Sequence, residues 1–208
     1  MEITNILPII AAFFHLCAYI IYNILVATKK DVKPNAASWS IWAIMAIVNA
    51  FSYGMMLDNW IAGLQFFIGS VASFLTFTLI LFQKRFGWPS TFEFVILGIC
   101  VTAVIVGLFL KSATATNMIT LVAFAISTYP IIRGVFNDPS IEISLPWAIW
   151  TCAFIITLIN IILLGKDWKA YLIPCVGLVA HALVGLLVIK KRRMIFKNAA
   201  MEYRTFSL

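Results

Sequence analysis

Apolar residues run through this chain in stretches of about 20, the length a helix needs to cross a hydrocarbon core of about 30 Å. The stretches lie at roughly 6–27, 37–57, 60–82, 91–111, 115–134, 144–164 and 169–189. Short polar breaks separate them: Lys29 to Lys33, Asp58-Asn59, Lys84-Arg85 followed by Pro89, Lys111 to Thr114, Asn137 to Glu142, and Lys166 to Lys169. The pattern predicts an all-α membrane protein with seven transmembrane helices in a single membrane domain over 1–208. The first stretch predicts a retained helix rather than a secretory signal. Its leading segment carries Glu2 and no Lys or Arg, and its apolar run is longer than the 15 or so residues of a signal core.

A second, longer period lies over the first. Trp39 and Trp147, Trp42 and Trp150, and Trp60 and Trp168 are each 108 apart (147−39 = 150−42 = 168−60 = 108), which uses six of the seven tryptophans. The same shift pairs Gly69 with Gly177. Self-similarity at a fixed period marks an internal duplication. Each copy holds three spans, 6–82 and 115–189, and the unpaired span at 91–111 joins them. An odd number of crossings would leave a directly fused second copy upside down; the linker helix reverses the chain once more. The prediction is two parallel triple-helix repeats, an arrangement that places a solute site between the repeats near the midplane.

Charge sets the orientation. With the N-terminus outside, the inner face receives Lys29, Lys30, Lys33, Lys84, Arg85, Arg133, Lys190, Lys191, Arg192, Arg193, Lys197 and Arg204, and the outer face only Lys111, Lys166 and Lys169. Twelve against three is a positive-inside bias, so the C-terminus and a basic tail at 190–208 are expected in the cytoplasm. The net charge of +7 then reports topology and contact with anionic lipid rather than nucleic acid. Composition agrees: 63% of residues are hydrophobic and 11% charged, with mean hydropathy +1.02. Cys17, Cys100, Cys152 and Cys175 lie inside spans and read as four buried thiols, with no disulfide framework, metal site or cofactor expected.

Polar residues inside spans turn toward a bundle interior or a wet cavity, because an unpaired polar group in a bilayer is costly. His15, Tyr19, Tyr22 and Asn23 share one face of the first span; Trp42, Asn49, Ser52 and Tyr53 share one face of the second. The repeat shift carries these last to Trp150, Thr157 and Asn160 on the sixth. Gln65, Gly69, Ser73 and Thr76 form a stripe on the third, answered by Gly177 and His181 on the seventh. Helix–helix hydrogen bonding is the competing role for each of them. Other features have local explanations: Ser90-x-x-Glu93 is a capping box, Gly98-x-x-x-Thr102 a site of close helix approach, and Trp39, Trp147, Trp60 and Trp168 interfacial anchors.

The 3-1-3 arrangement resembles the SWEET and PQ-loop superfamily, whose small bacterial members are single triple-helix units working as dimers, so self-association as a homo-oligomer stays open. Pro130 in Ser127-Thr128-Tyr129-Pro130, Pro146, and Pro174 before Cys175 resemble that family's helix prolines, and Tyr53-Gly54 with Asp58 resembles the end of its second helix. The resemblance implies hinges at Pro130, Pro146 and Pro174 and places Cys175 at the family's solute-contacting asparagine. It implies a facilitator moving a small polar solute by alternating access between the repeats. Two alternatives stay open: a vitamin or nucleoside carrier similar to the nicotinamide riboside transporters, with the Trp pairs stacking a planar ring, and a seven-helix receptor or sorting protein. An enzyme is not expected, because two His and no mid-span Asp or Glu supply no acid–base or metal constellation.

Overall fold

The computed structural model describes residues 3–83 and 90–206. Among them seven α-helices follow one another with no strand: α1 (Ile3–Thr28), α2 (Ala36–Leu57), α3 (Leu64–Phe82), α4 (Thr91–Phe109), α5 (Ala113–Asn137), α6 (Ser144–Leu163) and α7 (Trp168–Phe206). Six are long and apolar enough to cross a membrane, where seven spans were expected. The exception is α4. The helix itself runs Thr91–Phe109, 19 residues, with an apolar run over Thr91–Gly107. The break at Lys84, Arg85 and Pro89 lies outside the described residues.

Side-chain caps set the helix starts. Asn35 Oδ1 accepts from Ser38 N at 2.9 Å to open α2, and Asp58, in the left-handed region at φ 51, closes it. Asn59 Oδ1 then accepts from Ile61 N and Ala62 N and nucleates a 3₁₀ turn, Trp60–Gly63, so α3 begins four residues later than the apolar pattern suggests. The capping box of α4 is present, Ser90 N donating to Glu93 at 2.8 Å and Glu93 N to Ser90 Oγ at 3.3 Å. Asn35 Nδ2 also donates to Glu93 and ties the starts of α2 and α4. The expected tail at 190–208 is helical through Phe206, as an uninterrupted extension of α7; Lys, Arg, Met, Glu and Ala are good helix formers. Pro130 and Pro174 sit inside α5 and α7 without ending them. Pro146 stands in the first turn of α6, where a missing N–H breaks no helical bond.

Neighbour relations define a ring. α3 lies between α1 and α2, and α7 between α5 and α6; α1 packs on α6 and α2 on α5. Walking around gives α1, α3, α2, α5, α7, α6 and back to α1. Among the described residues no Cα of α1 comes within 8 Å of α2, nor any of α5 within 8 Å of α6. α4 stands outside the ring, against α5 and the edge of α2.

Several sequence expectations are corrected by burial. Trp39 and Trp147, expected at an interface, are both 0% exposed, whereas Trp60 and Trp168 are 61% and 65% exposed. Of the four thiols expected to be buried, Cys100 is buried, Cys17 half-buried, and Cys152 and Cys175 exposed. A methyl group at Gly98 would meet nothing within 4 Å, so no helix approaches there. Gly63 is the opposite case. A Cβ there would stand 2.7 Å from Ala50 O, with backbone as the obstacle. Gly63→Ala should therefore destabilise the detergent-solubilised protein by about 1–3 kcal/mol through forced backbone movement. Gly98→Ala should instead be neutral or stabilise by up to about 1 kcal/mol, and thermal melts of the two variants check the contrast.

Candidate functional site

The ring encloses a cavity of about 50 Å³ on which all six of its helices converge. α1 contributes His15 and Tyr19; α2 Trp42, Met45, Ala46 and Asn49; α3 Phe66, Gly69 and Ser73; α5 Phe124; α6 Phe154; and α7 Ile173 and His181. The space suits a few waters, against the 300 Å³ or more typical of ligand pockets. Among the described residues no three His, Cys, Asp or Glu side chains cluster as metal ligands.

His181 Nδ1 donates to Gly177 O at 2.7 Å, which leaves Nε2 as an acceptor. The Gln65 amide bridges the Thr157 hydroxyl and His15 Nδ1, the latter at 3.3 Å. Gly69 is needed beside it: a Cβ there would stand 3.1 Å from His15 Nε2. Tyr19 and Ser73 share a hydrogen bond of 2.7 Å, and Thr120 donates to Asn49 Oδ1. The cavity thus presents two imidazoles and an amide within apolar, largely aromatic walls. Phe154 touches both imidazoles, at ring separations of 5.8 and 5.0 Å.

An aromatic girdle closes the cavity toward the end of the ring where the α1–α2 and α5–α6 connections meet. Tyr22 packs on Trp39 at 4.9 Å and Trp150 at 5.5 Å; Trp147 packs on Trp150 at 5.2 Å, Trp42 at 6.1 Å and His181 at 5.3 Å. Beneath it lies a residue sequence reading missed. Glu142, just before α6, is 1% exposed and accepts from Tyr22 at 2.8 Å and Trp147 Nε1 at 3.0 Å.

The expected site residues divide into four groups. Trp42, Asn49, Ser73 and His181 line the cavity, and Trp150 stands in its girdle, 6.3 Å from the His15 ring. Tyr22, Asn23, Ser52, Tyr53 and Thr157 bond to other protein groups: Tyr22 to Glu142, Asn23 to Thr76, Ser52 to Asn117, Tyr53 to Ala170 O and Thr157 to Gln65. Asn160 lines a separate void of about 10 Å³ beside Tyr53 and Gln65, and its Oδ1 meets no partner. Cys175 is the correction. It faces outward, in a shallow groove with Val176 and Val179, because it lies half a turn from the inward positions Ile173, Gly177 and His181. His15, Tyr19 and Gln65 share the polar faces visible in the sequence; Phe124 and Phe154 carried no signal in an apolar background.

Comparison of the chain with protein-family models, with characterised proteins and with solved structures finds no match.

Gln65 bridges His15 and Thr157, so removing its amide orphans both. Gln65→Leu should cost about 1–3 kcal/mol of thermal stability, the penalty for buried polar groups left unmade. A melting temperature unchanged from the wild type would show that the bridge contributes nothing.

Proposed function

We propose that this chain is a multi-pass membrane carrier that passes a small solute through the ring by alternating access. The observation that carries the reading is the convergence of all six ring helices on one small cavity that holds both histidines. The neighbour pattern supports a duplicated architecture. Exchanging α1, α2, α3 for α5, α6, α7 turns each packed pair into another packed pair: α1–α3 into α5–α7, α2–α3 into α6–α7, and α1–α6 into α5–α2. With α4 as the linker this is the arrangement of parallel repeats, and it fits the SWEET and PQ-loop resemblance. The basic residues Lys29, Lys33 and Arg192 gather at the girdle end, which we assign to the cytoplasm.

The lining favours a compact, uncharged solute. Aromatic faces from Trp42, Phe66, Phe124 and Phe154 dominate, and no carboxylate or ammonium reaches the cavity. A planar heterocycle with adjacent donor and acceptor suits it better than a polyhydroxylated sugar, which needs more hydrogen-bonding groups than the walls supply.

Thermal-shift screening of the detergent-purified protein against sugars, nucleosides, vitamins and amino acids, followed by uptake of each hit into proteoliposomes, tests the reading. His181→Leu and Asn49→Leu should each weaken binding of a hit about tenfold or more, at about 1.4 kcal/mol per decade. Asn160→Leu, outside the cavity, should leave affinity unchanged. Normal affinity in both cavity variants would place the solute elsewhere.

A further inference from the structure

The connection between α5 and α6 carries a buried acid that solute binding does not use. Glu142 accepts hydrogen bonds from two neutral donors on different helices, Tyr22 Oη of α1 and Trp147 Nε1 of α6. Its carboxylate therefore spans the seam where α1 meets α6, the contact that closes the ring at its girdle end. Among the described residues no basic side chain pairs with it.

Of the charged side chains around it, Arg192 and Asp138 are engaged otherwise. From α7, Arg192 donates to three main-chain carbonyls, Pro139 O at 3.1 Å, Ser140 O at 3.4 Å and Glu142 O at 2.8 Å, and so clamps the connection without neutralising the acid. From the α1–α2 connection, Lys33 is joined through its backbone N–H to Ile141 O at 3.0 Å. Asp138, at the end of α5, accepts from Ser140 N and Oγ at 2.9 and 2.6 Å. Lys29 and Asp31 line the outer crevice beside Asp138 and Arg192. Burying an ionised carboxyl without a counterion is costly, and protonation is the usual escape.

We propose that Glu142 is a proton-binding site whose charge state operates the α1–α6 seam: the neutral acid holds it closed, and the ionised acid releases it. The sign follows from linkage. Burial pushes the Glu142 carboxyl up to about 7 in the closed seam, against the opposing hydrogen bonds from Trp147 and Tyr22, whereas a hydrated carboxyl in an open seam returns to its ordinary value of 4.5. The closed form binds the proton more tightly. Its advantage is complete below the ordinary value and is lost as pH rises through about 7. Asp138 does not share this window, because its bonds to Ser140 hold it below the usual carboxylate range. The consequence for transport rests on the carrier reading: the cavity opens toward the girdle end in alkaline conditions.

Trp39, Trp147 and Trp150 are buried in the girdle, so acrylamide quenching of tryptophan fluorescence in the full-length, detergent-purified protein reports the seam without any solute. Quenching should rise as pH increases across the neutral range, above a constant background from exposed Trp60 and Trp168. Glu142→Gln, which mimics the neutral acid, should lose the rise and stay at the acid-side value. A flat wild-type profile, or a rise that survives in Glu142→Gln, would overturn the proposal. If that variant cannot be purified, Tyr22→Phe decides. It keeps the acid but removes its bond across the seam, so the rise should begin at lower pH; a profile superposable on the wild type would also overturn the proposal. Solute uptake is measured separately. A pH-dependent seam in a protein that binds and moves none of the screened solutes would uphold the proton site and remove the carrier reading.

Discussion

Helices that share a hydrocarbon solvent gain little by hiding apolar surface from it, since lipid tails are as apolar as leucine. What joins them is close packing and hydrogen bonds between helices, and several seams of this ring are held in that way. Ser38 and Trp42 of α2 donate to Ser127 of α5, to its carbonyl at 2.8 Å and its hydroxyl at 2.7 Å. Thr120 and Asn117 of α5 answer with bonds to Asn49 and Ser52 of α2. α1 is joined to α3 by Tyr19–Ser73 and Thr76–Asn23, α3 to α2 by Ser70 and Ala43 O, and α3 to α6 by Gln65 and Thr157. Each is worth about 0.6–2 kcal/mol, and together they fix which helix lies beside which. The cavity is the space these bonds leave over. A polar side chain in the interior can hold a neighbouring helix, border the cavity or, like Asn49 and Ser73, do both.

That division explains how much of the site the sequence revealed. The inward faces were legible because a bilayer forces polar groups to turn in: His15, Tyr19 and Tyr22 follow helical spacing, as do Trp42, Asn49 and Tyr53, and all are buried. Which of them reach the cavity was not legible. Tyr53 and Asn49 lie four residues apart on one face, yet Tyr53 is bonded to Ala170 O on α7 while Asn49 borders the cavity. Depth along the bundle and the identity of the facing helix separate them, and neither is written in one helix's periodicity. Cys175 went wrong for a different reason. A family position was carried over although the spacing of Ile173, Gly177 and His181 already placed residue 175 on the opposite face.

Glu142 escaped notice because it stands in a short polar break, where a carboxylate ordinarily meets water. Its burial depends on two features that hydropathy hides. α7 continues as a helix beyond its apolar stretch and delivers Arg192 to the carbonyls of the α5–α6 connection, and Tyr22 and Trp147 close over the acid from inside. The basic run read as a tail is, at Arg192, part of the wall.

The two seams that close the ring are related by the shift of 108 residues but built differently. Ser127 stands where the first copy has Tyr19, Pro130 where it has Tyr22, and Pro34 where the second has Glu142 (127−19 = 130−22 = 142−34 = 108). The α2–α5 seam is thus joined by hydroxyls that keep one charge state at all ordinary pH, and a proline sits in its α5 wall. The α1–α6 seam is joined through an acid and two aromatic donors. Two identical seams would respond alike to any change of conditions. Among the described residues only the α1–α6 seam holds a carboxyl, so on the proposal above a change of pH acts on one side of the ring while the other serves as a fixed frame.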